Sequence, residues 1–78
     1  MTITKAQLEE IEEARLWGDK KDAYALLEEY TGIKAKPYIV YSFYDEADNY
    51  IGDDENYTIR DLLENAYIDV IESEDENK

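Results

Sequence analysis

Tyr38 to Tyr44 reads Tyr-Ile-Val-Tyr-Ser-Phe-Tyr, and no other stretch of the chain is so dense in aromatic and β-branched residues. Such side chains fit a pleated, half-buried surface, so the run is the strongest strand signal present. Pro37 stands just before it. Proline is tolerated at the first residue of a strand, where no ladder donor is needed. Side chains alternate across a strand. Ile39, Tyr41 and Phe43 therefore share one face, and Tyr38, Val40, Ser42 and Tyr44 share the other. The first face carries no small hydroxyl and is expected to meet the core. The strand is expected to run as far as Asp45.

Everything before this run reads as helix. Thr4 is a good N-cap, and Gln7 falls three residues later, as a capping box requires. A first helix over Lys5–Trp17 would place Leu8, Ile11 and Ala14 on one side, with Leu16 and Trp17 closing the apolar side near its end. Gly18 suits the left-handed position that ends a helix, and Asp19 can cap the next. A second helix over Lys20–Tyr30 carries the stripe Ala23, Leu26, Leu27 and Tyr30, a core-facing spacing. Gly32 ends it. The run Ala14, Leu16, Gly18, Asp19, Ala23 and Leu27 resembles the inter-helix portion of a tetratricopeptide repeat. That family stacks several repeats, and no second copy exists here. The likeness is therefore read as local hairpin chemistry.

After the strand, Asp45 to Asn49 is rich in turn formers and predicts a hairpin loop. Asn49–Gly52 follows as a short antiparallel strand with Tyr50 and Ile51 on opposite faces. Gly52 to Asn56 forms a second acidic loop. Thr58 caps a third helix with Asp61 at its box position. The stripe Ile59, Leu62, Leu63 and Ala66 faces inward. Tyr67–Glu72 is a last strand, with Ile68 and Val70 on one face and Tyr67, Asp69 and Ile71 on the other, able to pair with the first. The order α-α-β-β-α-β predicts an α+β fold: a helical hairpin followed by a ββαβ unit, with a short antiparallel sheet packed by helices. One core is expected from Leu26, Leu27, Ile39, Tyr41, Phe43, Leu62, Leu63 and Val70.

Charge decides which partners are open to such a chain. Its 21 acids outnumber 8 bases, a net of −13 over 78 residues. Residues 1–44 hold eight acids and six bases; residues 45–78 hold thirteen acids and two bases, Arg60 and Lys78. A field of this sign repels nucleic acid and anionic membrane and speeds association with basic surfaces. High acidity often means disorder, but 44% hydrophobic residues suffice for a small core over residues 1–72. A single domain is expected there, with Ser73–Lys78 as a disordered acidic tail. With no cysteine, no apolar run of membrane-spanning length and no basic-plus-apolar leader, a cytoplasmic protein is expected.

No histidine and no cysteine removes most nucleophile, general-base and transition-metal arrangements. No glycine-rich phosphate loop is present. An EF-hand frame from Asp53 reaches Glu64 at its twelfth position but has Thr58 where glycine is required. A frame from Asp45 has Ala47 and Tyr50 at its third and sixth positions and also fails. No enzyme, metal site or cofactor is expected.

What remains is acid beside aromatic. Asp45, Glu46, Asp48, Asp53, Asp54 and Glu55 sit in the two loops, flanked by Tyr44, Tyr50 and Tyr57. Aromatics anchor interfaces, and aromatics beside carboxylates suit a surface rich in Arg and Lys. These nine residues are the candidate partner-binding set. In size, acidity and lack of a catalytic motif the chain resembles the small phage-encoded inhibitors of host defence, including anti-CRISPR and anti-restriction proteins. The resemblance implies that it inhibits a basic nucleic-acid-binding protein of the host, such as a CRISPR effector or another DNA-handling enzyme, with carboxylates standing in for phosphates. Direct binding to nucleic acid or membrane is not expected, and the protein is expected to be a monomer or small homo-oligomer in the host cytoplasm. The alternative is a non-catalytic interaction module that makes contact through the helical hairpin, with Leu16 and Trp17 at its end.

Overall fold

The computed structural model of the chain describes residues 1–72. The elements run β1 (Thr2–Thr4), α1 (Lys5–Trp17), α2 (Lys20–Thr31), β2 (Lys34–Pro37), β3 (Tyr41–Tyr44), β4 (Tyr50–Asp53), α3 (Ile59–Asn65) and β5 (Asp69–Ile71). The fold is α+β, with the helical hairpin ahead of the main sheet. That sheet is antiparallel with strand order β2-β3-β4, and β1 pairs with β5 in parallel. The expected tail, Ser73–Lys78, lies outside the described residues.

Both capping boxes form. Gln7 N–H donates to Thr4 Oγ1 at 3.1 Å and Thr4 N–H to Gln7 Oε1 at 2.8 Å. Thr58 and Asp61 repeat the exchange at the start of α3. Asp19 accepts from Lys21 N–H at 2.9 Å and caps α2. Gly32 takes the left-handed conformation at the end of α2, with φ 79°. Its lack of a Cβ also leaves room for the Glu46 side chain. Gly18 departs from expectation, since its φ is −118° and no left-handed cap forms there.

The tyrosine-rich run is not one strand. β2 begins earlier, at Lys34, and pairs with β3 so that Pro37 meets Tyr41. Tyr38, Ile39 and Val40 form the turn between them, closed by Tyr38 N–H donating to the Val40 carbonyl at 3.1 Å. Ile39, expected in the core, is fully exposed at the tip. Pairing with a partner strand outweighed the intrinsic preference of these residues for extended backbone. Tyr44 pairs with Tyr50 and Phe43 with Gly52, so Ile51 is the extra residue of a β-bulge. Ile51 is buried, and its carbonyl accepts from Asn65 Nδ2 of α3 at 2.9 Å.

The core joins the helices to one face of the sheet. Leu8 and Ile11 of α1, Leu27 of α2, Phe43 of β3 and Leu62 and Leu63 of α3 are buried. Tyr24 stands at its centre, edge-on to Tyr41 and Phe43 with both ring centroids 4.9 Å away. Leu26 and Tyr41 are only partly buried. Leu16 and Trp17 do not close the apolar side of α1; both are exposed. Half-buried Arg15 takes the place four residues after Ile11 and reaches the Tyr24 hydroxyl at 3.1 Å. Leu16 and Trp17 follow at successive turns of about 100° and so point away.

The end of the described chain also differs from expectation. Tyr67 does not start a strand: it adopts φ 59° and is exposed. Its N–H donates to the Glu64 carbonyl at 3.0 Å and Ile68 N–H to the Leu63 carbonyl at 2.9 Å, which closes α3 with a left-handed residue. Ile68 is then buried as part of this cap rather than by strand alternation. β5 begins at Asp69 and pairs with β1, not with the tyrosine-rich run. Val70 pairs with Ile3 in a sheet that has two strands among the described residues, and stays exposed instead of entering the core.

Candidate functional site

The two acidic loops fall at opposite ends of β4, as the hairpin reading requires. At one end, Asp45 Oδ1 accepts from Ala47 N–H at 2.9 Å and Asn49 N–H at 2.8 Å. Asp48 occupies the left-handed region with φ 66°, a conformation that aspartate tolerates better than most residues. The Asn49 N–H, with the amide of its side chain and Ala47 N–H behind it, holds the Asp45 carboxyl below the usual carboxylate range. Lys34 Nζ meets Asp48 Oδ1 at 3.0 Å in an exposed pair, and this contact raises the lysine. Glu46 is exposed and lies against Gly32.

At the other end, Asp53 Oδ1 accepts from Asn56 N–H at 2.8 Å and Glu55 N–H at 3.0 Å. Its carboxyl is likewise lowered, chiefly by the Asn56 N–H. Asp54 turns inward, with its side chain only 6% exposed. Its Oδ2 takes the Lys20 ammonium at 2.9 Å and its Oδ1 the Tyr41 N–H at 3.2 Å. Its carbonyl accepts from Arg15 Nη2 at 3.4 Å. Asp54 thus ties α1, α2 and β3 together. Glu55 stays in solvent.

The three tyrosines divide. Tyr44 and Tyr50 are cross-strand partners on the outer face of the sheet, with ring centroids 5.8 Å apart. Lys36 Nζ sits 4.6 Å from the Tyr44 centroid. The Tyr50 hydroxyl donates to Asp53 Oδ2 at 3.0 Å; partial burial, and then this bond, raise its pKa. Tyr57 is half-buried against the backbone of Gly52 and belongs to the packing of β4. The candidate set is therefore divided between the two ends of β4, and of its six acids only Glu46, Asp48 and Glu55 project from exposed positions. Sequence reasoning gave no role to Lys20 or Arg15. A lone base opposite many acids is a weak signal, because any of the acids is a possible partner.

No group of three or more carboxylates converges as a metal site among the described residues. A surface depression of 600 Å³ lies between α3 and β5 beside Arg60, Glu64 and Tyr67, and none of the nine candidate residues lines it. No helix among the described residues is long and apolar enough to cross a membrane. Comparison with family models, with curated proteins and with solved structures finds no match.

Proposed function

We propose that this protein is a non-catalytic inhibitor that occupies the nucleic-acid-binding surface of a basic host protein. The resemblance to small phage-encoded anti-defence proteins makes a CRISPR effector or another DNA-handling enzyme the class of target. One observation carries the reading: β4 is bracketed by two acidic turns, each ordered by an aspartate, Asp45 or Asp53, that accepts two backbone N–H bonds. Ordered turns spare a partner part of the cost of fixing flexible acids. Glu46, Asp48 and Glu55 supply the contacts, and Asp45, Asp53 and Asp54 hold them in place. The net charge of −13 adds a field that steers a basic partner.

The test is competition. A partner isolated from host lysate is titrated with this protein in the presence of the partner's own nucleic acid. The two ligands are expected to exclude one another. Binding is expected to weaken steeply with added salt, since bound counterions are released from a basic site. Reversing Glu46 and Asp48 together, then Glu55, should weaken binding in steps, mainly through slower association. Simultaneous binding of protein and nucleic acid without loss of affinity overturns the reading.

A further inference from the structure

Four large apolar side chains stand in solvent at one end of the molecule. Leu16 and Trp17 close α1 with 71% and 82% exposure, and Tyr38 and Ile39 form the β2–β3 tip with 69% and full exposure. Asp54 brings these two turns to the same end. Arg15, just before Leu16, donates to its carbonyl, and Lys20, just after the α1–α2 turn, pairs with its carboxylate. Tyr41, just after the β2–β3 turn, bonds both its backbone and its side chain. Lys20, Tyr38, Ile39, Asp54 and Glu55 line one depression of 390 Å³. Leu16 lies in a second, of 200 Å³, with Glu9, Glu12 and Glu13.

Single exposed apolar residues are ordinary on any protein. Four at one end, on two neighbouring turns and with the only tryptophan of the chain among them, are the kind of apolar exposure that marks an interface. Carboxylates outnumber bases on its border: Glu9, Glu12 and Glu13 beside Leu16, and Asp54 and Glu55 against Lys20 beside Ile39. That rim selects the occupant. Phosphate-bearing nucleic acid and anionic lipid are repelled by it, and a second copy would set the same acids against themselves. We propose that this end is the gripping surface, and that its occupant is a protein face with an apolar pocket bordered by Lys and Arg. Apolar anchors within a charged rim have the anatomy of an interface hot spot. The inference rests on the reading of a basic partner and adds the place where that partner is held.

The experiment places a photoreactive benzoylphenylalanine at Trp17, at Ile39 and, for comparison, at Glu46 and Tyr50 of the full chain. Each is irradiated with unfractionated host lysate, and adducts are identified by mass spectrometry. Positions 17 and 39 are expected to capture one and the same basic protein. Ile39→Asp, at a fully exposed tip where folding is indifferent to it, is expected to weaken capture at position 17 by about tenfold or more, the scale of an interface anchor. Adducts confined to positions 46 and 50, or none at 17 and 39, overturn the gripping surface; capture at 46 and 50 leaves the acidic-turn reading standing. A captured protein that is not basic overturns the surface as assigned. A basic protein captured at 17 and 39 that binds this chain and nucleic acid together supports the surface and refutes the competitive inhibitor.

Discussion

Asp45 and Asp53 hold their turns in the same way, each accepting two N–H bonds from residues just ahead in the chain. Beyond that the two turns part. Among the described residues, the Asp45 turn forms a salt bridge only through the exposed Lys34–Asp48 pair. The second turn has Asp54, whose nearly buried carboxylate binds Lys20 and the Tyr41 backbone while its carbonyl receives Arg15. Equal acidity thus conceals different duties. The first turn presents Glu46 and Asp48 to solvent; the second presents Glu55 and uses Asp54 to lock three elements. Exposure and bonding, not the number of carboxylates, decide which acids are free to meet a partner.

The largest effect expected is on the wall that both turns share. Leu62 is buried and packs against Gly52 of β4. Leu62→Ala should cost about 2–5 kcal/mol, as large-to-small core changes do, and loosen both turns together. Chemical denaturation measures the cost, and amide exchange in the two turns shows whether they respond alike. A response confined to one turn would break their common dependence on β4. Next is Asp54→Ala, which removes an acceptor from the Tyr41 N–H and the Lys20 ammonium. A loss of about 1–3 kcal/mol is expected, the range for a hydrogen-bonded charge or an abandoned buried donor. A neutral outcome in the same denaturation measurement would put Asp54 with the presenting acids.

Acid should act on both turns in the same direction. Asp45 and Asp53 have folded values below the unfolded one of about 3.9, so their stabilisation is complete above that pH. It is lost as pH falls through the lowered folded values. Protection of the Asn49 and Asn56 amides, relative to an unstructured chain at the same pH, should therefore hold down to about pH 4 and fall below it; a fall already near pH 6 would contradict the assignment. The smallest effect belongs to Asp48→Ala. An exposed ion pair contributes about 0–1 kcal/mol, so the melting temperature should hardly move, whereas partner association should slow. A large drop in melting temperature would make the first turn as structural as the second.

Much of this architecture is legible in the sequence. Thr4 with Gln7 and Thr58 with Asp61 announce two helix starts by local chemistry alone, and Gly32 announces an end. The hairpin between β3 and β4 is legible in the Asp45–Asn49 turn formers. What escapes is set by distant pairing. Tyr38 to Val40 has the composition of a strand yet turns, because Lys34–Pro37 supplies the partner for Tyr41–Tyr44. Thr2–Thr4 becomes a strand only because Asp69–Ile71 comes to lie beside it. Within the candidate site, the placement of the acids in two turns flanking one short strand is readable, but the division of labour among them is not. Nothing in the sequence separates Asp54 from Asp53, although one faces inward to Lys20 and the other caps its own turn.

The β1–β5 pairing has a consequence for how the molecule is assembled. Its strands come from opposite ends of the described chain, so the ladder between Ile3 and Val70 forms only after almost everything between them has been made. Joining such distant segments carries the largest loop-closure entropy in the fold. The αα-hairpin and the β2–β3–β4 meander are local and can organise early, while the parallel pair closes last. On a ribosome, Ile3 would wait beside an incomplete core until residue 71 emerged. Any chain cut short before Asp69 would leave the first strand with no ladder to join.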